Sequence, residues 1–520
     1  MNRGKILWVD DEIELLRSHI MFLEEKGYEV TPVTNADDAI ALITQRHFDL
    51  VLLDEMMSGK DGLAALAEIK DFNPSLPVVM ITKNEEESLM EEAIGGKIDD
   101  YLTKPINPSQ ILSTCKKFLE RYKIGEERIS RDYAMEFNQI TQALMAQPDW
   151  QEWIEIYLRL TEWEIELDHY PDLGLLQTLQ DQKRSCNLEF ARFIEQNYPH
   201  WIHDQSDAPV LSVDIVAEHL VPLLTQGRRI VLLIIDSLRL DQWMAIEPLL
   251  FPYFHINKSY YYSILPTATP FSRNAIFSGL YPIEIEEKYP DLWQAGNDDD
   301  FSRNRYEHQF LNGQLKSMGF DLNPESKYIK IVEAQESKEL ERNLSSYIQT
   351  QLLAIVVNFV DIIAHSRSTS EILREIVPDE AAFRSLTRSW FGHSSIFRVL
   401  RYLAEEENLT IVLTSDHGSI RSMRGAKVIG DRETSTNLRY KFGRNLKCDS
   451  KYAIFVRDPR HYKLPRRGIN VNYIIAKEDY YFVYPTNYHK YLNLYKDSFQ
   501  HGGVSMEEMI LPIIELRPKK

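Results

Sequence analysis

The sequence predicts a multidomain α/β protein: a flavodoxin-like (βα)5 domain, an α-helical middle domain and a larger α/β domain. Three observations predict it. Residues 1–122 alternate five apolar strand-like runs with helical spacing, and 123–208 show helical spacing alone. Beyond 209, short β-branched runs each end on an aspartate or a histidine. The length of 520 residues agrees with several domains. The 59 basic and 78 acidic residues leave a net charge of −19, which argues against general binding to nucleic acid or anionic membrane. Cys115, Cys186 and Cys448 are far apart, so no disulfide framework and a cytoplasmic location are expected. The first residues do not read as a signal peptide, and no apolar run reaches the ~20 residues of a membrane span.

In the first domain, a strand at 5–9 runs into Asp10 and Asp11, and apolar spacing at 14–25 predicts a helix. A strand at 28–33, a helix at 36–44 and a strand ending on Asp54 follow; the last two strands end on Thr82 and Lys104. Clustered carboxylates with one lysine and one hydroxyl, at the C-terminal ends of parallel strands, suit a magnesium site beside a phosphoacceptor. Residues 4–120 resemble response-regulator receiver domains. The resemblance implies that Asp54 takes phosphate from a sensor histidine kinase and that Asp10, Asp11 and Asp54 hold Mg2+. It also implies that Thr82 and Lys104 sense the phosphate, with Tyr101 as the switch aromatic. Ser58 departs from the family, which commonly has proline there.

The middle domain carries helical spacing through Ile111, Leu112, Cys115 and Phe118, and again from Ile140 to Leu158, with few breakers. Trp150, Trp153 and Trp163 are expected in its core; the alternative is a surface for dimerisation or for coupling the flanking domains. No helix-turn-helix, zinc finger or basic recognition helix is present, so no direct DNA binding is expected.

In the last domain, the run 411–415 delivers Asp416, His417 and Gly418, and the run 229–235 delivers Asp236. The run 353–360 delivers Asp361, with His365 four residues on, and His501 sits in a glycine turn before a last apolar segment at 509–516. Each alone is equally a helix cap or a structural histidine. Together, three carboxylates and three imidazoles exceed one tetrahedral site and suggest two metals ~4 Å apart, as in phosphoryl-transfer centres. The order of these residues resembles the alkaline phosphatase superfamily, and within it the PglZ branch, over about 210–516. By that resemblance two Zn2+ are held, one by Asp361, His365 and His501, the other by Asp236, Asp416, His417 and the Thr269 oxygen. Thr269, three residues after Pro266 and ten before Gly279, takes the nucleophile's position, with Thr267 and Ser272 as competitors. A hydroxyl so activated predicts a phosphothreonine intermediate and inhibition by chelators.

About 282–348 reads as a cap insertion containing the acidic triplet Asp298 to Asp300. Residues 421–447 read as a basic loop, with Arg421, Arg424, Lys427, Arg432, Arg439, Lys441, Arg444 and Lys447. Its cations, chiefly Arg421, Arg424, Lys427 and Lys441, either bind extra substrate phosphates or pair with acidic neighbours.

A receiver joined through helices to a PglZ-type domain resembles the response regulators of the type IX secretion system in Bacteroidetes bacteria. That resemblance implies a zinc-dependent phosphodiesterase effector, with cyclic or short linear oligonucleotides as substrates. Its implied partners are a sensor kinase, a sigma factor and a secretion-motor component, with homodimerisation on phosphorylation. The alternative is a non-catalytic signalling adaptor, whose PglZ domain only binds the sigma factor or motor partner.

Overall fold

The computed structural model describes residues 3–73, 76–83, 98–293, 304–368, 370–431, 434–466, 468, 470–486 and 488–519. The chain divides into two compact units, Met1–Met135 and Glu136–Lys520. Cys115, Cys186 and Cys448 are all outside disulfides. No helix among the described residues is long and apolar enough to cross a membrane.

The first unit is built on five parallel strands, β1 (Lys5–Val9), β2 (Glu29–Val33), β3 (Leu50–Asp54), β4 (Val78–Thr82) and β5 (Asp100–Thr103), in the order β2-β1-β3-β4-β5. Alternation along β1 sends Leu7 and Val9 to one face and Ile6 and Trp8 to the other, and both faces are buried. Helices Ala36–Gln45 and Gly62–Phe72 cover the first face; Arg17–Glu25 and Pro108–Cys115 cover the second. Side chains of Asn35, Asp61 and Asn107 cap three of these helices. Gly62 is required where it stands, since a Cβ there would lie 2.3 Å from the carbonyl oxygen of Asp54. The predicted helix at 14–25 opens instead as a 3-10 turn, Ile13–Leu16.

The second unit is organised by a six-stranded sheet. Its strands are β6 (Arg229–Ile235), β7 (Phe254–Tyr262), β8 (Lys327–Ile331), β9 (Leu352–Val357), β10 (Leu409–Thr414) and a last strand, Ile510–Pro518. The order is β7, last strand, β10, β6, β9, β8. The last strand alone runs antiparallel to its neighbours. Only the short helix Met506–Met509 separates it from the His501 turn at the C-terminal edge, too little chain for a crossover. The apolar runs of β6, β9 and β10 are buried throughout apart from Arg229, as both-face-covered parallel strands must be.

Two segments differ from expectation. The region 282–348, read as a cap, contributes the edge strand β8 and core residues Phe310, Leu311 and Leu315 of helix Glu307–Ser317. Its strand went unseen because Lys327 to Ile331 is laced with lysines, as a half-exposed edge allows. Asp298 to Asp300 lie outside the described residues. The region 421–447, read as a loop, forms strands Ile420–Ser422, Arg424–Lys427 and Tyr440–Gly443, paired with strands Ser498–Gln500, Tyr480–Val483 and Asn472–Ala476. Arg432 and Glu433 lie outside the described residues.

Helices Arg121–Met145, Trp150–Leu167 and Leu175–Trp201 make up the expected helical segment. Trp153 is buried against Phe190 at 5.2 Å, while Trp150 and Trp163 are half-buried. The second and third of these helices join the sheet domain through a buried ionic cluster. Lys183 lies 2.7 Å from Glu164 and 3.4 Å from Glu507. Arg384 meets Asp168, Asp241 and Glu164, and Arg239 meets Asp241 and Glu380. Three cations thus face five carboxylates. Burial, and then Glu164, push the Glu380 carboxyl up to about 7. A carboxyl that binds its proton more tightly when folded contributes stability below its ordinary value near 4.5, and that contribution is lost as pH rises through about 7. Glu380→Gln, which mimics the protonated form, is expected to be more stable than the wild type by about 1–3 kcal/mol at pH 8. The two proteins should converge near pH 5; a difference independent of pH in urea titrations would contradict this.

Candidate metal centre and receiver site

In the receiver unit, carboxylate oxygens of Asp10, Asp11 and Asp54 lie within 4.8 Å of one another. Lys104 Nζ stands 2.9 Å from both Asp10 Oδ2 and Asp54 Oδ2. Burial raises the Asp54 carboxyl, Lys104 works against it, and Asp10 adds to it. Ser58, at the family's proline position, donates from its backbone N–H at 3.0 Å and its hydroxyl at 3.1 Å to Asp11 Oδ2. Thr82 is buried at the end of β4, and Tyr101 on β5 is 42% exposed. An all-oxygen set of this kind fits a hard divalent cation such as Mg2+.

In the second unit, β6, β9 and β10 end at one edge of the sheet, and the residues that follow them converge there. Asp361 and His365 are one turn apart on helix Phe359–Arg367, so they share a face. His365 Nε2 lies 3.3 Å from Asp361 Oδ1 and 2.9 Å from His501 Nε2. Asp236, Asp416 and His417 form a second, fully buried group, with His417 Nε2 3.7 Å from Asp236 Oδ1 and from Asp416 Oδ2. The rings of His417 and His501 stack at 4.2 Å, so the two groups adjoin. Gly418 is obligatory beside them, because a Cβ would lie 1.9 Å from the Glu507 carbonyl oxygen.

The donor atoms fit metal ions. Asp236 Oδ1, Asp361 Oδ1 and Asp416 Oδ2 are buried without a hydrogen-bond donor, and these same oxygens face the imidazole nitrogens. Burial first, then the neighbouring Asp236, push the Asp416 carboxyl up to about 7. Carboxylates this close in a dry site ionise together only when a cation compensates them. Burial, and then His417, hold His501 well below the usual imidazole range, leaving it the neutral form that ligates metals. Oxygen and imidazole donors in two groups of three suit borderline divalent metals such as zinc or manganese.

The three candidate hydroxyls separate cleanly. Thr269 Oγ1, at the start of helix Thr269–Ser278, is 2.9 Å from His417 Nε2. Thr267 Oγ1 donates to the Gly503 carbonyl at 2.8 Å and accepts from the Gly502 N–H, so it fastens the His501 turn. Ser272 Oγ donates to the Ala268 carbonyl.

Of the four basic residues proposed for substrate phosphate, Arg421 pairs with Asp497, and Arg424 pairs with Glu478 and Asp479. Lys441 is buried and donates to the Ser435 carbonyl; Lys427 is exposed. The pairing with acidic neighbours is therefore what the structure shows for both arginines. Sequence reasoning missed Arg273 and Asn358, which donate to Asp236, and Glu307 and Asn304, which bind Arg273 and the Thr269 carbonyl. A signal existed for the first: an arginine one turn beyond Thr269 in a helix buried at every position. The others became neighbours only through the fold.

A family model of the BREX system PglZ alkaline phosphatase-like domain matches residues 215–516, more than half of the chain. Models of the response regulator receiver domain and of the PorX response regulator linker domain match 6–116 and 123–202. The chain is 36% identical over 120 residues to the transcriptional regulatory protein ResD of Bacillus subtilis, covering 23% of this chain and 50% of that protein. It is 35% identical over 133 residues to the transcriptional regulatory protein BaeR of Escherichia coli O6:H1, covering 25% and 54%. The chain thus spans about half the length of these curated relatives. Among solved structures, the receiver domain of NtrX from Brucella abortus is 36% identical, with 22% of this chain and 98% of that chain covered and a TM-score of 0.21.

Thr267→Ala removes two hydrogen bonds that hold the His501 turn and is expected to cost about 1–3 kcal/mol. Thr269→Ala should cost under about 1 kcal/mol, because its hydroxyl faces ligands rather than backbone. Denaturant titration of both variants checks the contrast, and equal losses would contradict it.

Proposed function

Because the chain belongs to the family of PglZ alkaline phosphatase-like domains, here joined to a response-regulator receiver through a PorX-type linker, we propose that its effector half is a zinc-dependent phosphodiesterase. Its substrates are cyclic or short linear oligonucleotides. The observation that carries this reading is Thr269 Oγ1 at 2.9 Å from His417 Nε2, beside three orphaned carboxylate oxygens.

Asp361, His365 and His501 would hold one zinc, and Asp236, Asp416 and His417 the other. Bound there, the ions supply positive charge that offsets the phosphoryl oxygens and lowers the pKa of the adjacent hydroxyl. Thr269 is the nucleophile. Its Oγ forms the bond to phosphorus as the bond to the leaving oxygen breaks, and the proton given up by the hydroxyl is balanced by the one that the departing alcohol takes up. Water then opens the phosphothreonine and restores the hydroxyl. The Nδ1 of His417 lies 3.0 Å from the Gly418 carbonyl, a partner that holds the ring with Nε2 toward Thr269. Burial of Thr269 to 6% exposure keeps competing water away until substrate arrives.

The receiver is controlled by a sensor histidine kinase, which transfers phosphate to Asp54. Lys104 offsets the incoming charge, and Asp10 and Asp11 hold Mg2+ with Asp54. The PorX-type linker supports a role in type IX secretion, with a sigma factor and a secretion-motor component as partners.

The decisive assay is hydrolysis of bis(p-nitrophenyl) phosphate against p-nitrophenyl phosphate, with zinc and with chelator. Diester cleavage is expected to require zinc and to fall at least ~100-fold in Thr269→Ala, a nucleophile loss. Two bound zinc ions with no cleavage of either ester would favour the adaptor. Acetyl phosphate should convert wild type, and not Asp54→Asn, to a dimer in light scattering; a monomer in both cases would end the dimerisation proposal.

A further inference from the structure

Asp236 uses its two oxygens differently. Oδ2 accepts from Arg273 Nη1 at 2.5 Å and from Asn358 Nδ2 at 2.7 Å, while Oδ1 is buried, unbonded and aimed at His417. The two donors lock the carboxylate so that one oxygen is left for a cation. Arg273 is itself 1% exposed and reaches Asp416 Oδ2 at 3.7 Å, so it spans both carboxylates of the buried group.

A fully buried guanidinium beside a cation centre repels the cation unless its charge is offset. Glu307 provides the offset. Its Oε1 accepts from Arg273 Nε at 2.6 Å and from Asn304 Nδ2 at 2.6 Å, and its Oε2 accepts from the Tyr328 hydroxyl. Burial, and then Glu307, raise the Tyr328 phenol, which keeps its proton for that bond. Asn304 also donates to the Thr269 carbonyl at 3.2 Å. One carboxylate, delivered by the segment read from sequence as a cover, therefore fixes a ligand of the centre through Arg273 and the nucleophile's backbone through Asn304.

We propose that Arg273 and Glu307 are positioning residues that preorganise the Asp236, Asp416 and His417 group for its metal, an inference that rests on the zinc ligation stated above. The pair adds no net charge at the centre; it sets the direction in which Asp236 presents Oδ1. Among the described residues, the contacts of Arg273 and Glu307 lie on the Asp236 and Asp416 side of the centre, whereas the turn that carries His501 is fastened by Thr267.

The test is a zinc titration of the full chain against a chromogenic chelator, with thermal melting in parallel. His365→Ala identifies which of the two binding steps belongs to the other group. Arg273→Met and Glu307→Gln are expected to weaken by 10–100-fold the step that His365→Ala leaves in place, and to spare the other. Arg273→Lys should recover most of the loss. Tyr328→Phe, which removes a single hydroxyl, should weaken the same step to a smaller degree and decides the matter if the charge variants fail to fold. Folded variants that keep both affinities, or lose both equally, overturn the proposal. The readout does not involve turnover: a wild type that binds two zinc ions and cleaves no diester removes the phosphodiesterase and leaves this inference standing.

Discussion

Negative charge held out of water is the constraint on which this structure depends. Asp236 and Asp416 are buried within one small volume, and Asp361 adjoins them. Desolvating ions costs several kcal/mol each unless partners replace the water. The parallel strands make the arrangement possible, because β6, β9 and β10 end side by side and release their carboxylates at a common edge. The rest of the site compensates the charge. Arg273 spans two of the carboxylates, Asn358 binds one, and three imidazoles face the oxygens that remain.

The receiver unit solves the same problem at smaller scale. Asp10 and Asp54 are buried at the ends of β1 and β3, and Lys104 lies 2.9 Å from each. Here the compensating cation is a flexible ammonium at the rim, 15% exposed, where an incoming phosphoryl group can meet it. In the larger site the covalent cation is a guanidinium locked by Glu307, which orients the ligands and leaves the reactive positions to other groups.

Helices Trp150–Leu167 and Leu175–Trp201 belong physically to the sheet domain. Asn187 donates to Glu507 and accepts from the Met506 N–H, and the carbonyl of Glu507 presses against Gly418. A chain of direct contacts thus runs from these helices to the backbone beside His417. The buried ionic cluster around Lys183 gives that chain its fixed geometry.

Both fold types, and the residues that converge in both sites, were legible in the sequence. The reason is local. A buried parallel strand must be a continuous apolar run, and a side chain that follows such a run is carried to the sheet's C-terminal edge whatever the rest of the chain does. Asp10, Asp54, Asp236 and Asp416 obey that rule; Asp361, read as the end of a strand, stands instead in the first turn of helix Phe359–Arg367 after β9 has ended at Val357, and His365 follows from helical spacing. What surrounds them was not legible. Arg273, Asn358 and the neighbouring pair Asn304 and Glu307 lie on three separate segments, and the last strand's reversal, the place of β8 in the sheet and the pairing of Arg421 and Arg424 depend on distant partners. The sequence by itself determined which charged groups reach the sheet edge, because alternation and run length act within a few residues. Only the tertiary structure decided how those charges are balanced, because electrostatic compensation in a dry interior depends on distance in space and not on separation along the chain.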